Sequence, residues 1–382
     1  MIKRILSLGM CGILLALLAF SLVGCGETTS STPSSGTTQS STDTAGTTRT
    51  ITDHRGRTVE IPAKIERIAP LGFTPRVLTY LGLADKFVGI QECEIAKSPI
   101  MAYAYPHREE WAKLPNTGTD SLGAGLWNAE VLIQCKPDVI ITTYTADVSD
   151  DIQRQTGIPV VSVTELSDEK LFTEEYSENI RFLGEVCGVS ERAEELIAYI
   201  DQCVQDVKNR TKDIPDDKKP TVLAAGATFS GAHSIDGIYA NYIVFDLLAA
   251  KDVTKGFSES GGVLVDKEKI LDWNPDILFF DANSMKLIYE DYQKDPSYFE
   301  SLKAVKNGQM YQWPNSQWHS TNVEIPLVTL YYVGAMLYPE QFADVDFEKK
   351  ASEIFDKFLG EPDYLKTLEE AGAGYGPVSL KK

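Results

Sequence analysis

The chain has 382 residues, which is enough to bury a full hydrophobic core and indicates two domains of ordinary size. Its formal net charge of −19 argues against a nucleic-acid partner and against a basic membrane-binding face. With 43% hydrophobic and 24% charged residues, the composition is otherwise that of a globular protein.

The N-terminal segment has the pattern of a secretory signal. Residues 1–24 combine the basic start MIKR with a long apolar run, and LVGC at 22–25 resembles a bacterial lipobox. In such signals the cysteine is acylated and becomes the new N-terminus, so Cys25 is the predicted lipidation site; an uncleaved anchor is the alternative. Residues 25–49 have almost no apolar side chains and are predicted to be a flexible tether. Together these segments predict a protein lipid-anchored at the outer face of the cell membrane.

Strand and helix signals alternate over residues 50–188, which predicts a first lobe with a mainly parallel sheet covered on both faces. Thr74 is the predicted cap of the first helix, with Pro75 at its first position. The predicted strands are residues 57–62, 67–71, 86–90, 138–143 and 158–163, and later helices span residues 128–135 and 151–157.

A helical pattern without strand signals runs from Glu174 to Lys212, and its second part, residues 189–213, is the predicted linker helix, capped by Ser190. Residues 214–382 form the predicted second lobe. Its strands are predicted at 221–229, 276–281 and 308–314, and its helices at 240–250, 267–273, 295–305, 323–339 and 347–360. The predicted fold class is therefore α/β: two Rossmann-like lobes with mainly parallel sheets, joined by one long rigid α-helix, with a ligand cleft between them.

One segment of the chain is nearly repeated. Residues 128–141 read NAEVLIQCKPDVII, and residues 266–279 read DKEKILDWNPDILF. Glu130 and Glu268 each lie seven residues before a Pro-Asp pair, in the first turn of a helix, where the helix dipole favours a negative charge. The repeat predicts two lobes built alike, and from the residues alone both acids are explained as stabilisers of helix starts.

Over residues 50–365 the chain resembles the substrate-binding lipoproteins of ABC importers, in the helical-linker class that binds ferric siderophores, haem and corrinoids. The resemblance is carried by TDHRGRTVEIP, by RIAPL before LTYLGLADKFVGI, by the repeat, by RAEELIAYI and by VTLYYVGAMLYPEQF. It implies a monomer that is not an enzyme and has no intrinsic cofactor. It also implies that Glu130 and Glu268 dock onto arginines of the membrane permease, which works with an ATPase.

The ligand implied by this resemblance is an iron or cobalt complex. A ferric siderophore is favoured because of its frequency in the family, and haem or a corrinoid is the first alternative. A protein that binds a bare transition metal, or a surface adhesin with the same fold, is the second alternative. The motifs G-x-S-x-G, H-E-x-x-H and the P-loop are all missing from the sequence, which argues against an enzyme.

The loops after the predicted strands are rich in aromatic and hydroxyl side chains, which suits a bulky chelate held by flat contacts. Arg76 falls at the second position of a helix, where the dipole disfavours a cation, so either a ligand anion or a neighbouring acid is expected beside it. His107 and Arg108 are further candidates for an anion. The predicted ligand-binding residues are Phe73, Arg76, Tyr105, Trp127, Tyr144, Phe229, His233, Trp318 and His319.

Three histidines are the candidates for metal ligation, although no two of them have a metal-binding spacing. His107, His233 and His319 fall in separate loops, so they would converge on a bare metal ion only through the fold, or one of them would ligate iron or cobalt axially. Ordinary hydrogen bonding is the alternative for each. No CxxC or CxxxH spacing suggests a zinc site at Cys93, Cys135, Cys187 and Cys203. Free thiols are favoured over disulfides because Cys135 is predicted at a helix end and Cys203 in mid-helix, far from the turn that holds Cys187.

Overall fold

The computed structural model describes residues 47–119, 126–165, 170–258, 261–317 and 320–381. The predicted signal peptide, the lipidation site Cys25, nearly all of the tether, and the ligand candidates Trp318 and His319 lie outside the described residues. Gly46–Lys382 forms one compact unit. Within the described part of that unit, no helix is both long and apolar enough to cross a membrane.

The first half of this unit contains a hairpin and a small parallel sheet. β1 (Thr48–Thr52) pairs antiparallel with β2 (Thr58–Pro62), and its first residue lies two residues before the predicted start of the first lobe. The parallel sheet has the order β3-β4-β5, with β3 (Ile68–Pro70), β4 (Val139–Thr142) and β5 (Val160–Ser162). Around it lie α1 (Thr74–Tyr80), α2 (Arg108–Trp111), α3 (Ala129–Cys135) and α4 (Ala146–Thr156).

The second half is built on a larger, mixed sheet with the order β12-β11-β10-β6-β7-β9, and β8 pairs with β6. Its strands are β6 (Thr221–Ala225), β7 (Gly237–Ala240), β8 (Lys251–Asp252), β9 (Gly261–Leu264), β10 (Ile277–Asp281), β11 (Met310–Trp313) and β12 (Gly376–Pro377). β6, β8, β10 and β11 are parallel, whereas β7, β9 and β12 pair antiparallel. Its helices are α7 (Ile243–Leu247), α8 (Lys267–Trp273), α9 (Met285–Lys294), α10 (Pro296–Ser301), α11 (Lys303–Lys306), α12 (Glu324–Leu337), α13 (Phe347–Leu359) and α14 (Tyr364–Glu370).

Two helices connect the halves, α5 (Glu174–Cys187) and α6 (Ser190–Thr211). α6 corresponds to the predicted linker helix, and it packs against α5, α7 and α12. The crossing of α5 and α6 needs a glycine, because a Cβ on Gly184 would approach the Ala193 Cβ to 2.5 Å. The predicted α/β class with parallel strands is confirmed, while the bounds and rigidity of the lobes stay predictions.

Several predicted boundaries differ from the structure, for local reasons. Residues 86–90 are not a strand, because the chain touches β3 only through the Phe87–Ile68 bridge before leaving the sheet. Thr74 starts α1 rather than capping it, and its hydroxyl donates instead to the carbonyls of Leu71 and Ile141. The predicted helix at 240–250 shortens to α7 because residues 237–240 pair as β7.

Two further helix predictions are corrected. Ser190 is the first residue of α6 and does not cap it; the cap position is held by Val189. The predicted helix at 295–305 is broken at Leu302, whose extended backbone separates α10 from α11. The second sheet is mixed rather than mainly parallel, because β7 and β9 pair antiparallel. The sequence did not predict these two strands, because their glycine-rich segments have no clear alternation of apolar and polar residues.

The repeated segment forms the same structural unit twice. α3 and α8 each end at a residue in the left-handed conformation, Lys136 (φ 48°) and Asn274 (φ 40°), and a Pro-Asp pair then leads into β4 or β10. Such a residue ends a helix and turns the chain sharply. The prediction that the two halves share a building plan is therefore confirmed for this unit.

The aspartate of each Pro-Asp pair fastens the neighbouring parallel strand. The Asp138 carboxylate accepts the backbone N–H of Arg67, one residue before β3, at 2.9 Å. The Asp276 carboxylate accepts the backbone N–H of Thr221, the first residue of β6, at 2.8 Å. These acids satisfy backbone donors at the strand starts, so their role is structural.

All four cysteines of the described chain, Cys93, Cys135, Cys187 and Cys203, are free, as the sequence favours. Burial raises the pKa of the Cys187 thiol to about 12, so this thiol stays protonated.

Candidate functional site

A cavity lies where α1, the ends of β4 and β5, α5 and the segment 320–321 meet. Its volume is about 40 Å³, which is room for only a few water-sized groups. Most of its wall comes from the first half of the chain, and Ser320 and Thr321 close it from the second half. Side chains that matter for its chemistry are Phe73, Arg76, Thr143, Tyr176 and Asn179.

Arg76 is the cation of this cavity. It is the third residue of α1 rather than the predicted second, and only 4% of it is exposed. Its Nε donates to Asn322 Oδ1 at 3.1 Å, and its guanidinium lies over the Tyr103 ring, 5.1 Å from the ring centre. Burial by itself lowers the pKa of Arg76, but nearby Tyr103 and other acidic groups raise this pKa overall, so the side chain stays charged.

Two buried carboxylates lie close to this guanidinium. Glu94 is fully buried and accepts a hydrogen bond from the Tyr103 hydroxyl. Glu324, the first residue of α12, is also fully buried, and its Oε2 accepts the Tyr80 hydroxyl at 2.5 Å. Burial raises the pKa of Glu324 to about 7, against smaller lowering effects of the Tyr80 hydrogen bond and of Arg76. At neutral pH this carboxyl group is therefore only partly ionised.

Further polar atoms in and beside the cavity are buried without a partner. Among the described residues, the Tyr176 hydroxyl, Asn179 Oδ1 and Glu324 Oε1 have no hydrogen-bond partner. The Asn179 side chain is held in place because its Nδ2 donates to the Thr164 carbonyl at 2.6 Å. Buried polar atoms of this kind carry a free-energy cost that a bound polar group would remove.

An exposed acid stands at the edge of the same cavity. Desolvation raises the pKa of the Glu165 carboxyl, while Arg76 and Arg55 lower it by smaller amounts. The cavity thus combines one guanidinium with hydroxyl and amide groups and has a carboxylate at its rim. Of these groups, the guanidinium and the Tyr176 hydroxyl are donors that can hold a compact polar anion by charge-assisted hydrogen bonds.

Of the nine predicted ligand-binding residues, the structure brings Phe73 and Arg76 to the cavity. Tyr144 lies in the core beside it, where its hydroxyl accepts from Gln91 Nε2 at 3.2 Å. Tyr105 lies under Arg108, with the guanidinium 4.1 Å from its ring centre. These two tyrosines do not line the cavity.

The other described candidates also lie elsewhere. Trp127 packs against the small core around β4. Phe229 and His233 stack on each other with ring centres 4.2 Å apart, and His233 Nε2 is hydrogen-bonded to the Phe229 carbonyl at 2.9 Å. This loop is therefore packed upon itself, and its aromatic rings are not presented to the cavity.

In the described part of the chain, the candidate metal ligands His107 and His233 are not joined by a cluster of other metal-ligating side chains. His107 stacks on Trp111, with ring centres 5.3 Å apart, and burial lowers the pKa of His107. Within the described ranges, no three His, Cys, Asp or Glu side chains come together to hold a metal ion. The third candidate, His319, lies outside them.

Sequence reasoning missed Tyr176, Asn322 and Glu324. One signal for Glu324 was available, since it is the single charged residue at the start of the apolar run EIPLVTLYYVGAML, where an acid is expected to be buried and bonded. No comparable signal marks Tyr176 or Asn322.

Comparison with known proteins agrees with this architecture. A family model described as periplasmic binding protein matches residues 76–317. The molybdate-binding protein MolA of Haemophilus influenzae is 23% identical over 252 residues, which are 60% of this chain and 69% of that protein. The Fe(3+)-citrate-binding protein YfmC of Bacillus subtilis is 25% identical over 191 residues, 50% of this chain and 58% of that protein.

Solved structures show the same fold. A periplasmic solute binding protein of Veillonella parvula has a TM-score of 0.64 and 23% identity, over 82% of this chain and 93% of that one. MolA bound to molybdate has a TM-score of 0.62 and 21% identity, over 82% and 98%. The similar proteins named here bind solutes; none is named as an enzyme.

Proposed function

Because the chain belongs to the periplasmic binding protein family, we propose that it is an extracytoplasmic lipoprotein, anchored through Cys25, that carries an anionic ligand to an ABC importer. It acts as a monomer without turnover and without an intrinsic cofactor, and it passes the ligand to a permease driven by an ATPase. The observation that supports the ligand class is the buried guanidinium of Arg76 in the cavity wall.

A buried guanidinium is unfavourable unless negative charge lies close to it. Inside the protein the buried carboxyl groups of Glu94 and Glu324 lie close to Arg76, and burial holds the pKa of Glu324 at about 7, so part of the molecules carry that group uncharged at neutral pH. An anionic ligand in the cavity would place a further negative group beside this guanidinium. It would also give a hydrogen-bond acceptor to the unpartnered hydroxyl of Tyr176.

A ferric chelate that bears carboxylates, of the siderophore or citrate type, is the first candidate ligand. It carries the negative charge that Arg76 favours, and the relative YfmC is named for binding Fe(3+)-citrate. Haem and corrinoids are less supported, because the described rings of Tyr105, Trp127 and Phe229 do not line the cavity.

A small tetrahedral oxyanion is the second candidate, and the buried Arg76 guanidinium beside the unpartnered Tyr176 hydroxyl is the observation that favours it. The relative MolA is named for molybdate, an anion of this shape. A compact oxyanion needs a few convergent donors, and Arg76 and the Tyr176 hydroxyl can supply them.

The ligand is tested by native mass spectrometry with metal analysis on the chain purified from its host without added ligand. We expect a bound anion, either an iron-containing species of several hundred daltons or a small oxyanion. If the chain is empty, titration with ferric citrate and with molybdate, followed by tryptophan fluorescence, is expected to show saturable binding of one of them. A bound bare cation, or a bound neutral macrocycle, would contradict an anionic ligand.

Docking to the permease is proposed for Glu130 and Glu268. Both side chains are exposed in the first turn of their helices, and neither has an ion-pair partner among the described residues. Two carboxylates held at equivalent places on the two halves can pair with two arginines, and Arg–carboxylate pairs are geometrically specific.

The double substitution Glu130→Gln and Glu268→Gln is expected to leave ligand affinity unchanged and to lower stimulation of the importer ATPase about tenfold or more. The measurement is ATP hydrolysis by the importer in lipid nanodiscs, at increasing concentration of the chain. Glu191→Gln with Glu348→Gln is the matched control, because these exposed acids also lie in first turns, of α6 and α13, but outside the repeat. Equal stimulation by both double variants would rule out docking through the repeat.

A further inference from the structure

The described chain has few large exposed hydrophobic side chains, and most of them occur at matching positions of the repeated segment and its flanks. Five large ones are 37% to 59% exposed: Leu126, Ile133, Phe257, Leu264 and Leu271. Four of them form two pairs at the spacing of the repeat, Leu126 with Leu264 and Ile133 with Leu271. Single exposed apolar residues are ordinary, but their recurrence at the same positions in both halves needs an explanation.

The members of each pair occupy equivalent places in the fold. Leu126 adjoins the antiparallel bridge between Gly118 and Trp127, and Leu264 ends β9, which pairs antiparallel with β7. Each leucine lies two residues before the cap of its helix. Sequence similarity and backbone structure therefore agree on which residues correspond.

The second pair lies beside the proposed docking acids. Ile133 and Leu271 are the fifth residues of α3 and α8, three positions after Glu130 and Glu268, so each aliphatic side chain shares a helix face with its acid. The preceding residues, Leu132 and Ile270, are fully buried. Core packing explains why the buried positions are apolar, but it does not explain why the exposed positions that follow them, Ile133 and Leu271, are apolar too.

We propose that Leu126, Glu130 and Ile133 form one permease-binding surface, and that Leu264, Glu268 and Leu271 form a second, equivalent one. This rests on the proposed function and extends it from two acids to two apolar surfaces with an acid in each. We call them the first and the second docking surface.

The partner that fits is a permease with two equivalent subunit surfaces, each offering a guanidinium beside an apolar recess. A repeated surface on one chain matches a two-fold symmetric partner, because each copy then meets the same groups. Aliphatic side chains around an ion pair exclude water from it, which strengthens the pair. The fifth exposed residue, Phe257, packs edge-on against Trp273 at the end of α8 and has no counterpart among the exposed hydrophobic residues of the first half that the structure describes.

The test measures affinity of the full chain for the importer complex in lipid nanodiscs by biolayer interferometry. Ile133→Ser with Leu271→Ser is expected to weaken binding about tenfold, as is Leu126→Ser with Leu264→Ser, since removal of interface aliphatic side chains commonly has effects of this size. Ile133→Ser alone is expected to fall between these variants and the wild type. Gln202→Ser with Lys208→Ser, on the exposed side of α6, is the control and keeps wild-type affinity.

Ferric citrate and molybdate titrations and the thermal unfolding midpoint are expected to be the same in all these variants. Wild-type affinity in both serine pairs, together with weak binding of Glu130→Gln with Glu268→Gln, would overturn the apolar surfaces and leave the docking acids standing. Wild-type affinity in all three double variants would overturn both the docking role of Glu130 and Glu268 and the two apolar surfaces. A wild-type dimer in sedimentation that becomes monomeric in Ile133→Ser with Leu271→Ser would assign the surfaces to self-association instead.

Discussion

Replacement of Arg76 by methionine is expected to weaken binding of the anionic ligand about a hundredfold, because removing one partner of a buried charge pair has effects of this size. Methionine keeps a long unbranched side chain over the Tyr103 ring and removes the charge and the donors. The measurement is a fluorescence titration with whichever anion the wild-type chain binds. Arg76→Lys, which keeps the charge but not the planar fork, is expected to recover only part of the affinity.

Arg108→Met is the matched control for this prediction. Arg108 also lies over a tyrosine, Tyr105, but it does not line the cavity. Its replacement is expected to leave ligand affinity within about twofold of the wild type, by the usual size of effects at surface positions. If both variants bind normally while circular dichroism shows them folded, the ligand does not contact Arg76 and the proposed anion site is wrong.

The elements that could be predicted from the sequence are those specified by neighbouring residues. α3 and α8, with β4 and β10 after them, combine helical periodicity, a helix-ending residue, a Pro-Asp pair and a β-branched run within a short stretch. Repetition of the stretch made the prediction stronger. β7 and β9 lack such local patterns; they pair with each other, and β7 also pairs with β6.

The candidate site was harder to predict because its contacts are distant in sequence. Arg76 meets Asn322 across 246 residues, and Tyr80 meets Glu324 across 244. No periodicity or spacing reports such pairs. Phe229 and His233, which were predicted from their aromatic loop, stack on each other and do not line this cavity, so their role in ligand binding stays a prediction.

Glu324 is expected to make the fold less stable as the pH rises through neutrality. Burial raises the pKa of this carboxyl from 4.5 to about 7 in the folded chain, so the folded state binds the proton more tightly than the unfolded state. Its stabilising contribution is complete below pH 4.5 and is lost as the pH passes 7. At 1.36 kcal/mol per pKa unit, we expect a loss of about 2 kcal/mol in the free energy of unfolding between pH 5 and pH 8.

Glu324→Gln separates this effect from other titrations, because glutamine still offers an oxygen to the Tyr80 hydroxyl and never ionises. Asp281, whose pKa burial raises to about 6, contributes to the pH dependence of both proteins and cancels in the difference. The variant is therefore expected to exceed the wild type by about 2 kcal/mol at pH 8, and to lose that advantage at pH 5, in urea unfolding at both pH values. Glu348→Gln, at an exposed position, is the control and should follow the wild type. A constant difference between Glu324→Gln and the wild type at the two pH values would show that Glu324 does not titrate in this range.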